Sequence, residues 1–173
     1  VTEEEIHRCL RRGTVAGRIV PVLCGTSLRN RGVQPLLDAV VRYLPSPLDM
    51  PPIKAAGSGD GARAIRRPSD DEPFCGLAFK IAVDPFVGKL TYVRVYSGVV
   101  QSGSYVLNAS RGGKERMGRL LLMHANKREE IEEARTGDII GVVGLKETGT
   151  GDTLCPDGEP IMLEPPAFPE PVI

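Results

Sequence analysis

The order of apolar and polar positions changes character twice along this 173-residue chain. Thr2 and Glu5 have the spacing of a capping box, and Ile6, Cys9 and Leu10 follow at helical intervals up to Gly13, so the pattern predicts a short opening helix. Ile19 to Cys24 is a nearly continuous apolar run that predicts a strand. The Gly25-Thr26-Ser27 turn after it leads to Val33, Leu36, Leu37, Val40, Val41 and Leu44, which mark one face of a second helix that Pro45 and Pro47 end. A strand apolar on both faces and followed by a helix reads as one unit of a parallel sheet. No partner strand lies nearby, so the rest of that sheet is expected outside this chain. Pro21 removes a ladder donor and places the expected strand at an edge or a bulge.

Residues 48–72 turn to Pro51-Pro52, Gly57-Ser58-Gly59-Asp60-Gly61, the cations Arg63, Arg66 and Arg67, and then Asp70-Asp71-Glu72, a composition that reads as a linker. From Pro73 the period becomes two. Leu77, Phe79, Ile81 and Val83 alternate with Ala78, Lys80 and Ala82, and Leu90 to Tyr96 repeats the style after an Asp84-Pro85-Phe86-Val87-Gly88 turn. Shorter strands are predicted at Tyr105 to Asn108, Met117 to Met123 and Ile139 to Leu145, with turns at Ser102-Gly103, Gly112-Gly113, Thr136-Gly137-Asp138 and Gly149 to Asp152. Many short strands with regular turns and no long helix predict a mainly β fold, a small closed antiparallel β-barrel over 73–167. The helix-strand-helix of residues 1–47 precedes it.

Composition narrows the chemistry. Lys plus Arg and Asp plus Glu each total 22, so a polyanion would have to meet a local patch rather than a net charge. Cys9, Cys24, Cys75 and Cys155 are widely separated, and with only His7 and His124 beside them no metal site has its usual spacing, which reads as four reduced, mostly packed thiols of a cytoplasmic protein. No apolar run reaches the roughly 18 residues of a membrane span, and no charged-then-apolar leader opens the chain. No nucleophile, base and orienting acid form a recognisable set, so no catalytic residue is assigned. The opening at Val1 and the stop at Pro171-Val172-Ile173, in mid-pattern, read as a fragment.

A family resemblance rests on several separated motifs. Asp70-Asp71-Glu72-Pro73-Phe74, Leu77-Ala78-Phe79-Lys80-Ile81, Asp84-Pro85-Phe86-Val87-Gly88, Arg94-Val95-Tyr96-Ser97-Gly98, the run Met123 to Glu130, Gly137-Asp138-Ile139 and Thr150 to Cys155 stand in the order in which similar motifs occur in elongation factor G. Pro21-Val22-Leu23-Cys24-Gly25 and Asn30 to Asp38 resemble the last strand and helix of that family's GTPase domain, and Phe168 to Ile173 resembles the junction with its third domain. The resemblance implies a translation-factor barrel, domain II, over 73–167. Before it come the end of an α/β GTPase domain over 1–47 and a linker over 48–72, and 168–173 would start the next domain. It implies GTP or GDP with magnesium as cofactors of the intact protein and none for this fragment, since no G-x-x-x-x-G-K-[ST] loop is present to cradle phosphates. It also implies the ribosome and the remaining domains of the same protein as partners, and no membrane.

Within that resemblance Gly25, Thr26 and Ser27 correspond to the loop whose backbone N–H groups meet the guanine carbonyl, with Thr and Ser where the family usually has Ser and Ala. Without it, the same turn is a strand-to-helix connection. Arg111, Lys114, Arg116 and Arg119 cluster near the Gly112-Gly113 turn and Lys127 and Arg128 occupy a second loop. Such cations suit sequence-tolerant phosphate contacts, though solvated hairpins are also commonly basic. The resemblance makes them contacts to small-subunit ribosomal RNA or to the GTPase domain. Two alternatives remain: a ribosomal protection or recycling GTPase of the same superfamily, and an independent nucleic-acid-binding barrel. The latter would need an aromatic platform from only four Tyr and four Phe, without Trp.

Overall fold

Thr2 caps the first helix as the sequence predicts: its hydroxyl accepts the Glu5 N–H at 3.2 Å and the Glu5 carboxylate accepts the Thr2 N–H at 2.8 Å. The computed structural model describes residues 1–57, 63–85, 87–124 and 127–165 and divides the chain into two units, residues 1–50 and residues 51 onward. Four features of the sequence reading lie outside the described residues. They are the glycine-rich centre of the expected linker (58–62), Phe86, the Ala125-Asn126 pair and the 168–173 junction.

In the first unit α1 (Glu3–Val15) and α2 (Val33–Tyr43) pack together, and the Tyr43 hydroxyl shares a hydrogen bond with His7 Nδ1 at 2.5 Å. Arg11 donates to the carbonyls of Arg42 and Leu44 and pairs with Asp49 at 2.6 Å, tying the end of α2 to α1. The strand expected over Ile19 to Cys24 is not formed, and the isolated bridge between Thr26 and Arg31 lies just after that segment. A strand exists by virtue of a ladder partner, and among the described residues none pairs with this run. Val20, Val22 and the α2 positions Leu36, Leu37, Val40 and Val41 are correspondingly exposed, and Ala39 and Tyr43 are the buried apolar residues of this unit.

The second unit is mainly β. Its strands are β1 (Ile53–Gly57), β2 (Arg63–Arg66), β3 (Cys75–Asp84), β4 (Gly88–Ser97), β5 (Val100–Gln101), β6 (Tyr105–Asn108) and β7 (Gly113–Arg116). These are followed by β8 (Arg119–His124), β9 (Lys127–Ile131), β10 (Glu133–Ala134), β11 (Ile139–Val143), β12 (Thr153–Cys155) and β13 (Ile161–Met162). Eight of them form an antiparallel sheet in the order β7-β6-β12-β3-β4-β11-β8-β9. β1 pairs with β2 and β13 in a three-stranded sheet, so part of what reads as a linker is strand.

The expected closed barrel is corrected by this order. Among the described residues the eight-stranded ladder ends at β7 and β9, while β5 and β10 pair only with each other as a two-residue ribbon. Closure requires every strand to have two neighbours in a common stagger. β5 cannot extend, because positive φ at Gly98 (72°) and Gly103 (77°) turns the chain on either side of it. At Gly98 a Cβ would sit 2.5 Å from the Glu72 carbonyl oxygen, so the chain crosses there too closely for any side chain.

Alternation along the strands builds two cores. Phe74, Ala78, Val93, Val95, Val106, Met117, Leu120, Ile140, Val142 and Leu154 fill the first. Cys75, Leu77, Cys155, Ala55, Ile161 and Leu163 fill the second, with Thr153 Oγ1 accepting the Leu163 N–H at 3.0 Å. Leu120 is fully buried in the first core, so Leu120→Ala is expected to destabilise this unit by about 2–5 kcal/mol, read from urea unfolding of the full chain. Limited proteolysis is expected to cleave residues 1–50 before the sheet, since few apolar side chains of that unit are buried. Equal resistance of both units would contradict this.

Candidate functional site

The best-defined polar cluster of the sheet unit gathers around two carboxylates. Glu115 on β7 accepts the Lys146 N–H at 2.5 Å, the Glu147 N–H at 3.1 Å and the Thr148 hydroxyl. Asp152 Oδ2, just before β12, accepts Asn108 Nδ2 at 2.9 Å, the Gly149 N–H at 2.7 Å and Arg111 Nε at 2.6 Å. Asn108 also donates to Thr148 Oγ1 at 3.2 Å, and its own side-chain carbonyl accepts the Arg111 N–H at 3.1 Å. From the far side Lys89 Nζ donates to the carbonyls of Lys146 and Thr148 at 2.7 and 2.9 Å. The loop 146–152 is thus held at both ends by side chains from β4, β6 and β7.

Burial alone would raise both carboxyls. For Glu115 the hydrogen bonds from Thr148 and from the N–H groups of Glu147 and Lys146 outweigh it, and for Asp152 those from Asn108, Gly149 and Arg111 do. Both are held below the usual carboxylate range and are ionised at neutral pH. The Gly149 to Asp152 segment is a tight turn, with Gly151 at φ 92° and the Asp152 N–H bonded to the Gly149 carbonyl.

The six cations singled out in the sequence divide between two places. Arg111, Lys114 and Arg116 belong to the β6–β7 hairpin, at one end of the strand order, whereas Arg119 opens β8 and Lys127 and Arg128 lie on β9, at the other end. Several have carboxylate partners: Arg111 pairs with Asp152, Lys114 with Asp157, and Arg128 Nη2 with Asp84 Oδ2 at 2.5 Å. Arg116 Nε donates to the Gly103 carbonyl at 3.2 Å. Arg119 and Lys127 are exposed on the surface of the sheet. Facing Lys127 across the β8–β9 pair is His124, exposed rather than packed, with Nε2 3.6 Å from Glu129. Between β10 and β11, Arg135 bridges Asp70 and Glu133.

The Gly25-Thr26-Ser27 turn belongs to the first unit. Thr26 and Arg31 exchange backbone hydrogen bonds of 2.9 and 3.0 Å around a one-turn helix, Ser27–Arg29, and Asn30 takes a left-handed conformation. A Cβ on Gly25 would lie 3.0 Å from the Arg31 carbonyl oxygen, and one on Gly32 2.8 Å from the Cys24 carbonyl oxygen. Gly32, at φ 78°, therefore demands glycine, and Gly25 leaves only tight room for a side chain. The Thr26 N–H is spent within the loop, whereas the Ser27 N–H, first in its helical turn, has no acceptor inside that turn.

Comparison with known families places the sheet. A family model described as elongation factor G domain 2 matches residues 73–157, the span from the entry into β3 through the end of β12. This stretch is an elongation factor G domain 2. A solved crystal structure from Thermus thermophilus is similar over 90% of this chain at 29% identity, with a TM-score of 0.65, and the chain spans 20% of that protein's length. No helix among the described residues is long and apolar enough to cross a membrane, and no group of three or more His, Cys, Asp or Glu among them could hold a metal ion.

The carboxylate cluster of domain 2 was missed by sequence reasoning. In the sequence Asn108 stands out only as the end of a predicted strand, Asp152 only as part of the Gly149 to Asp152 turn and the Thr150 to Cys155 motif, and Glu115 not at all. A usable signal was present, since acids beside the basic hairpin residues Lys114 and Arg116 and beside the glycine turn mark where local N–H groups need acceptors. The pH dependence follows from the depressed carboxyls. Their contribution to stability is complete above their unfolded values of about 4 and is lost as pH falls through the lower folded values. The thermal midpoint should hold from neutral pH to about 5 and fall below about 4, and Asp152→Asn should flatten that acid limb. Asp152→Ala is expected to cost roughly 2–3 kcal/mol in urea unfolding, because the Asn108 and Gly149 donors lose their acceptor.

Proposed function

We propose that this chain is part of an elongation factor G that moves tRNA and mRNA through the ribosome at the expense of GTP, and that its domain 2 docks on small-subunit ribosomal RNA and contacts the GTPase domain. The observation that carries the reading is the domain 2 match over 73–157, joined to a preceding unit with the turn and helix expected at the end of a GTPase domain. Arg119 and Lys127, exposed near the β8–β9 edge, are the cations best suited to phosphate contact, with Arg116 on the β6–β7 edge. Arg111 and Lys114 serve first as partners of Asp152 and Asp157, and Arg128 as that of Asp84, so they position their hairpins for such contacts.

In the intact protein GTP with magnesium would supply the hydrolysis that drives the cycle. Of this chain's residues, the tight Gly25-Thr26-Ser27 turn fits the guanine end: its small side chains allow a base to approach, and the Ser27 N–H is the donor for the guanine carbonyl. A ribosomal protection or recycling GTPase of the same superfamily would share these features and differ in other domains. The independent single-strand-binding reading has one supporting observation, the half-buried Phe79–Tyr92 pair with centroids 6.3 Å apart. Lys80 Nζ already lies 5.6 Å from the Tyr92 centroid of that pair, and the separate Tyr96 ring is covered by Arg94 at 5.2 Å.

Co-sedimentation of the chain with purified small ribosomal subunits across a salt series tests the docking reading. Weak binding that falls with salt is expected, with the log-log slope reduced by about one for each phosphate contact removed in the Arg116→Ala, Arg119→Ala, Lys127→Ala variant. No binding at low salt, or an unchanged slope in the variant, would overturn it.

A further inference from the structure

We propose that Cys75 and Cys155 are a latent cross-strand disulfide, a redox modification site that staples the start of β3 to the end of β12 in the second core of domain 2. The argument begins with register. Thr153 faces Leu77 and Leu154 faces Gly76, the last pair of this ladder, and the same register continued one step, past the shift that β3 makes against β4 between Cys75 and Gly76, brings Cys155 toward Cys75 in a shared cluster.

The hydrogen bonds decide which kind of pair this is. Ala78 donates to the Asp152 carbonyl at 2.9 Å and accepts the Gly151 N–H at 2.7 Å, so the bonded positions of this ladder are Ala78 and, two residues back, Gly76 opposite Leu154. From the other direction, the Thr153 carbonyl accepts the Ala109 N–H at 2.9 Å, which turns the backbone groups of Thr153 and Cys155 toward β6 and away from β3. Continued one step, this alternation makes Cys75 and Cys155 a non-hydrogen-bonded pair. In such pairs the Cα atoms approach to about 4.5 Å, inside the roughly 4.4–6.8 Å window that a disulfide requires.

Side-chain direction agrees with register. Both cysteines are fully buried and both belong to the cluster of Ala55, Leu77, Ile161 and Leu163, on the face opposite Leu154 and Ala78. Cys75 and Cys155 are the two thiols of this cluster, and both are free.

The reaction balances with a small-molecule disulfide as oxidant. The thiolate of one cysteine attacks a sulfur of that disulfide and releases one thiolate, leaving a mixed disulfide. The thiolate of the second cysteine then attacks the protein-bound sulfur and releases the other half. Two protein thiols lose two electrons, the reagent is reduced to two thiols, and the two cysteine protons end on those released thiols.

Burial controls the rate. It pushes the Cys75 thiol up to about 12, with Cys155 beside it adding to the effect and Arg66 opposing it. Burial also raises Cys155, against the Ile161 N–H and Arg66. The closed core thus holds almost no thiolate. Exchange waits for local opening of this core, and once formed the bond ties β3 to β12.

The test uses the full chain carrying Cys9→Ser and Cys24→Ser, exposed to oxidised glutathione near pH 8 in buffer and in urea just below the unfolding transition. A non-reducing digest is expected to yield a linked Cys75–Cys155 peptide, two hydrogens lighter than the sum of its parts, forming at least about tenfold faster in urea. After return to buffer the oxidised chain should melt about 10 °C higher than the reduced one, and dithiothreitol should reverse the shift. Glutathione adducts on the two cysteines without a linked peptide, unreacted thiols in urea, or an oxidised form that melts lower than the reduced one would overturn the proposal. The readout uses the unaltered pair, so it needs no variant at either position to fold.

Discussion

β3 is buried on both faces at its start, and the rest of domain 2 is arranged around that constraint. Ala78, with Phe74 just before the strand, points to the first core, while Cys75 and Leu77 point to the second, so the strand has to be covered on both sides. β4 and β12 flank it in the ladder, and the three-stranded sheet of β1, β2 and β13 supplies Ala55 and Ile161 to the second side. Gly76 allows this density: a Cβ there would lie 2.8 Å from a Val93 methyl and 3.0 Å from the Phe74 ring. A strand apolar on one face alone would need neither the β1–β2 hairpin nor the return of the chain through β13.

The polar groups of domain 2 follow from the same packing. With the ladder fixed, the loop between β11 and β12 closes over buried space, and its N–H groups need acceptors that water cannot reach. Glu115 and Asp152 provide them, and Arg111 and Lys89 balance the charge and the carbonyls around them. A cation that neutralises a buried acid is less available to an external phosphate than one that stands alone. For that reason the six basic positions are unequal as candidates for RNA contact, although their sequence neighbourhoods look alike.

The first unit shows the opposite case. Its two helices form, α1 with its capping box intact, yet the apolar run from Ile19 to Cys24 stays without a ladder and the apolar face of α2 stays exposed. Local signals are enough for a capped helix or a glycine turn, because every group involved lies within a few residues. They are not enough for a strand, whose hydrogen bonds all go elsewhere.

That difference separates what the sequence determined from what tertiary structure decided. The Thr2–Glu5 capping box, the period-two runs over Leu77 to Val83 and Leu90 to Tyr96, the turn glycines and the motifs of elongation factor G were all legible, because each is written in neighbouring residues. The partner of each strand was not. β1 reads as part of a linker and pairs with β13 about a hundred residues later, and the expected barrel resolves into an open eight-stranded ladder and a separate ribbon among the described residues. The candidate site divides the same way: the cations were visible in the sequence, but Asp152 beside Arg111, Asp84 beside Arg128 and Cys155 in one core cluster with Cys75 bring together residues dozens of positions apart. Periodicity fixes which face a side chain takes, whereas ladder register decides what it meets there.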